Sequence, residues 1–186
     1  ETTTSGNITL STSDSGINGV SGLINIITGN SLYGNSGLFN LTTGNAIHGK
    51  AGDILISVGS GNSGQGGIVN ITSGETSDFQ SGGLINIQSG YSTTTSSGNI
   101  TIQTSKAGIS GVSGNITIKT GITSDGTSGS ILMTTGTSNN GHGGDVELIV
   151  GDGNLGTGGN IHLYAGKTTD TVGQKGGSII LQSGEG

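Results

Sequence analysis

One pattern returns twelve times along this chain: a glycine, any residue, a large apolar residue, any residue, and a second apolar residue. "GNITIQTS" at 98–105 and "GNITIKTG" at 114–121 are two of the copies. The first apolar positions are Ile8, Ile24, Phe39, Ile54, Val69, Ile85, Ile100, Ile116, Ile131, Val146, Ile161 and Ile179. They are separated by 16, 15, 15, 15, 16, 15, 16, 15, 15, 15 and 18 residues. Side chains two apart share a face only when the backbone is extended, so the pattern has the period of a strand. A glycine follows most copies, as at Gly29, Gly44, Gly121 and Gly136, where a turn is expected.

A strand of about five residues is not stable alone, and repetition at a fixed period is the mark of a stacked architecture. The expected fold is therefore all-β: a β-solenoid, or β-helix, of about twelve 15–16-residue coils. It would form an elongated rod over 1–186 as one repeat domain, with lateral packing or a winding of three chains as further arrangements. Equivalent strands would lie roughly 4.8 Å apart, with Ile100, Ile116 and Ile131 on one inner ladder. Gly22, Gly37, Gly52, Gly67, Gly114 and Gly144 are read as architectural. Ile17, Leu32, Ile47, Ile109 and Val172 would face inward from the return path, where the middle repeats carry Asn62, Asp78 and Thr93 instead. The repeat runs in register from residue 6 to residue 184 without a visible cap, which suggests a segment of a longer fibre.

Composition narrows the functional classes. Only 28 % of residues are hydrophobic, so a thick globular core is excluded. The 41 glycines lack a three-residue period and there is no proline, which excludes collagen. Five lysines, no arginine and a net charge of -6 leave no basic patch for nucleic acid. No apolar run is long enough to insert in a membrane, and Glu1–Ser5 has no leader character. Cysteine is absent, so disulfides and thiolate chemistry are out.

The chemistry-bearing side chains are few. Glu147 and His162 occupy the same outward column one repeat apart and are expected to be neighbours, without the third group that acid–base catalysis needs. His142 and Asp145 in "NNGHGGDV", the isolated His48, and Asp152 in "GDGN" lack the further ligands of a metal site. No glycine-rich stretch is followed by the Lys-Ser/Thr of a phosphate loop. Sequons such as Asn7-Ile8-Thr9 and Asn115-Ile116-Thr117 fall out of the repeat itself. The chain is accordingly read as no enzyme, with no cofactor and no metal. On the outward face, Leu23, Ile27, Leu38, Leu55, Ile68 and Leu84 form an apolar stripe in the N-terminal half, the expected lateral interface.

The segments "SGNITIKTG", "GGLINIQSG" and "GGSIILQSG" resemble the glycine-rich repeats of extracellular β-solenoid proteins. Similar tracts occur in phage tail fibres, in fibre and spike proteins of large viruses, and in microbial adhesins. The resemblance implies a structural component, a rigid shaft or spacer of a surface fibre, at an extracellular, cell-surface or virion-surface location. Its partners would be further copies or neighbouring structural proteins, with a cell-surface glycan as another. The alternative it implies is an adhesin binding glycans through outward Asn, Thr and Gln ladders; a polysaccharide-active β-helix and an ice-binding face are lesser ones.

Overall fold

The computed structural model describes residues 4–185. Glu1–Thr3, part of the stretch read as lacking leader character, and Gly186 lie outside the described residues. The chain divides into two units, Glu1–Gln88 and Ser89–Gly186, each described by itself.

Within each unit the same local design repeats. The first unit bends at 17–18, 32–34, 47–49, 62–65 and 77–80. The second bends at 93–95, 109–110, 124–126, 139–141, 154–156 and 171–173. Each bend falls midway between two apolar copies, where serine, threonine, aspartate and glycine gather. Their side chains bond nearby backbone, as short polar side chains do in turns. Ser92 Oγ accepts from the amide nitrogens of Thr94 and Thr95 at 3.4 and 3.0 Å. Asp170 Oδ1 accepts from Val172 N at 2.8 Å, and Thr168 Oγ1 from Asp170 N at 3.1 Å. Gly64 and Gly126 enter the left-handed region, with φ of 75° and 111°, which only glycine adopts without strain.

Each bend is also closed at its base. The small residue four positions after an apolar mark meets the glycine two positions before the next mark. In the first unit Thr28 meets Gly37 and Val58 meets Gly67; in the second Thr120 meets Gly129 and Val150 meets Gly159. A methyl group on Gly67 would come 2.5 Å from Val58 Cγ1, and one on Gly159 would come 2.7 Å from Val150 Cγ1. These glycines let the two legs of the bend approach. Backbone bonds reinforce some closures: Gly83 N to Gly74 O at 2.9 Å, Gly98 N to Gly90 O at 3.0 Å and Gly177 N to Gly166 O at 2.8 Å.

Beyond the bends the expected architecture is not formed. The described residues contain no helix and no strand, so the all-β solenoid of stacked coils is corrected to an open chain of bent repeats. No hydrogen bond among them joins equivalent positions of successive repeats; the longest backbone bond spans Gly166 to Gly177. None is buried, and the least exposed are Ser73, Ser89, Ser92, Ala107 and Thr168. Ile100, Ile116 and Ile131, expected to cover one another in an inner ladder, are each about half-exposed. The accessible surface is 19598 Å². A folded monomer of 18.1 kDa exposes about 8,000 Å² and its unfolded chain about 26,000 Å².

The physical reason lies in the return path. A thin solenoid needs apolar cover from the far side of each coil, and the residues expected to supply it sit at the bends instead. Ile17 and Ile109 are wholly exposed there, with Leu32, Ile47 and Val172 close behind. The two aliphatic residues of each repeat thus meet no opposing layer from their own chain. The rigid shaft or fibre spacer goes with the coil, because stiffness requires paired strands. The outward amide ladders of an adhesin, the β-helix groove for polysaccharide and the flat ice-binding face fail for the same reason. The likeness to virion-fibre and adhesin repeats stops at the sequence pattern.

The bend closures can be trapped. The Cβ of a residue at 129 would lie 3.7 Å from Thr120 Cβ, inside the range a disulfide requires. Thr120→Cys with Gly129→Cys should oxidise readily to an intrachain disulfide, read by mass spectrometry under non-reducing conditions. Thr120→Cys with Gly136→Cys should not, since nothing lies within 4 Å of a Cβ at 136.

Candidate interaction surface

The candidate site is the repeated apolar segment itself. Its residues alternate in exposure as an extended backbone demands. In the copy at 84–87, Leu84 is 85 % exposed, Ile85 49 % and Ile87 69 %. The same grading recurs in the second unit, where Ile100 is less exposed than Ile102. Two further contacts between residues two apart mark the extended backbone. Thr72 Oγ1 donates to Asn70 Oδ1 at 3.3 Å. The rings of His162 and Tyr164 stack at 5.8 Å between centroids and 17° between planes.

Each segment therefore carries a graded apolar face, and within it, from its apolar mark onward, no backbone–backbone hydrogen bond is made among the described residues. Backbone N–H and C=O groups are obligatory hydrogen-bonding groups and are costly to bury unpaired. Val58 and Val150, which close two of the bends, continue the less exposed edge of the face. The stripe residues Leu23, Ile27, Leu38, Leu55, Ile68 and Leu84 lie on the other side and are more exposed than the first-column residues beside them. All six belong to the unit Glu1–Gln88.

The polar candidates assemble nothing. No cluster of three or more metal-ligating residues occurs among the described residues, and no cavity is present among them. Glu147 and His162 are joined by neither a hydrogen bond nor an ion pair; His162 Nδ1 lies 3.4 Å from Tyr164 Oη instead. The expected neighbourhood required stacked repeats. His48, His142, Asp145 and Asp152 remain exposed and apart from one another's chemistry. Lys50 Nζ and Asp53 Oδ2 pair at 2.8 Å, but both side chains are in water, where such a pair contributes little. No helix among the described residues is long and apolar enough to cross a membrane.

The sequence marks the closing residues Thr12, Thr28, Thr43 and Val58 only by their place four positions after an apolar mark. Their pairing with the next glycine is recorded in a separation of nine or ten residues at each bend, and twelve at the last, from Ala165 to Gly177. The His162–Tyr164 stack follows from their spacing of two. No protein-family model, no curated protein and no solved structure matches the chain.

In dilute solution the amides of Ile100–Gln103 should exchange with solvent at the rates of an unstructured peptide. Those of Gly83, Gly98 and Gly177, which have backbone acceptors, should exchange measurably more slowly. Hydrogen-exchange NMR at low protein concentration reads both.

Proposed function

We propose that this chain is a non-catalytic assembly subunit that acquires its core by associating with further copies of itself. One observation carries the reading: the apolar pattern is held in register twelve times, yet no described residue is buried and no backbone bond among them joins equivalent positions of successive repeats. Fixing each residue costs about 1–2 kcal/mol in conformational entropy, and the partial burial within the chain offsets little of it. The compensating contacts must come from outside.

The partner is chosen by period and by area. A partner must present an apolar face and free backbone every 15–16 residues to remain matched along the chain, and a second copy does so by construction. The surface in excess of a folded monomer is about 11,500 Å², far above the roughly 1,200–2,000 Å² of a standard interface. Low charge suits the same role: 9 % charged residues leave little repulsion between neighbouring copies.

Light scattering across a concentration series tests this reading. The expected result is a mass that rises to a multiple of 18.1 kDa; a single chain at every concentration would refute it. Ile85→Asp, Ile100→Asp and Ile116→Asp together should weaken association by about three orders of magnitude, from about 1.5 kcal/mol lost per aliphatic residue. Ile109→Asp at a bend should leave it nearly unchanged. Each copy carries -6, so association should strengthen as salt is raised from low ionic strength.

A further inference from the structure

We infer that the associating copies run parallel, each Glu1–Gln88 unit meeting the same unit of its neighbour. This deepens the self-association proposed above and rests on it. At the position before the apolar mark, large apolar residues occur in the first unit alone, although Leu132, Ile149 and Ile180 add exposed apolar side chains at other outward positions of the second. Leu23, Leu38, Ile68 and Leu84 occupy the position before the apolar mark in four repeats of the first unit. In the second unit that position holds Asn99, Asn115, Ser130, Asp145, Asn160 and Ser178. The four apolar residues are all strongly exposed and have no cover within their own chain.

The two directions of association treat this stripe differently. Parallel copies set leucine and isoleucine against leucine and isoleucine, and leave the asparagines of the second unit to bond one another's amides. Antiparallel copies set Leu84 opposite Asn99, Ile68 opposite Asn115, Leu38 opposite Asp145 and Leu23 opposite Asn160. Each such pairing buries a polar group against a side chain that cannot bond it, which is unfavourable. A parallel shift by several repeats brings similar mismatches, and an antiparallel shift that sets Leu23 opposite Leu84 and Leu38 opposite Ile68 leaves the repeats from Asn115 onward without a partner.

The repeat spacing adds an independent constraint. Read backwards, the eleven steps match the forward order except at the two ends, where 18 stands against 16. An antiparallel pair must absorb two surplus residues at both ends, whereas a parallel unshifted pair absorbs none. The excess surface is ample for this mode, since it is several times a standard interface. Parallel copies also follow from closed rotational symmetry, the usual form of homo-oligomers, when the axis runs along the chains.

The chain has no cysteine, so each introduced thiol is unique. Ser11→Cys and Ser183→Cys are labelled separately with donor or acceptor dye and mixed at concentrations where light scattering shows association. Energy transfer should be severalfold higher in the 11/11 and 183/183 mixtures than in the 11/183 mixture. Transfer in 11/183 that equals or exceeds the like-end mixtures, with association present, overturns the parallel arrangement and leaves self-association standing. Absence of association overturns both. A Leu23→Ser, Leu38→Ser, Ile68→Ser, Leu84→Ser variant should still associate but lose most of the like-end preference; a preference unchanged in that variant removes the stripe as its cause.

Discussion

Everything in this molecule depends on the unpaired state of its repeated segments. Each presents a graded apolar face and a run of free backbone groups, and its own chain offers neither a facing layer nor a neighbouring strand. The bends are locally determined, by polar side chains returning to nearby amides and by glycines that permit close approach. Those interactions shape the chain at intervals of 15–16 residues without giving it an interior.

The local part of this organisation was legible in the sequence. Glycine before the mark, apolar residues two apart and turn residues between copies are short-range features; the bends fall among those turn residues, three to five positions beyond Gly29, Gly44, Gly121 and Gly136, where turns were expected. What packs on what was not legible. Ile17, Leu32, Ile47 and Ile109 have the spacing of inward residues, and the structure sets them at exposed bends. Periodicity reports that a face is apolar; it does not report whether the cover comes from the same chain. Glu147 and His162 failed for that reason too, since their expected contact presupposed stacking.

The scarcity of chemistry follows from the same openness. Among the described residues no side chain is buried, no cavity is present and no three metal-ligating groups gather. His162 and Tyr164 meet only because two residues in an extended backbone share a side. The Lys50–Asp53 pair is likewise local and solvated. The capacity that remains is large and diffuse: exposed aliphatic area repeated in phase, with little charge to keep copies apart.

The most direct measurement asks where the partners of the free segments are. Copies labelled uniformly with ¹³C are mixed with copies labelled with ¹⁵N, brought to an associating concentration, and examined for magnetisation transfer between the two labels. The account predicts transfer between copies at the amides and aliphatic groups of Ile100–Gln103 and Ile116–Lys119. Absence of transfer between the two labels, with those same residues protected from exchange, would show that each chain closes its own core and would contradict it.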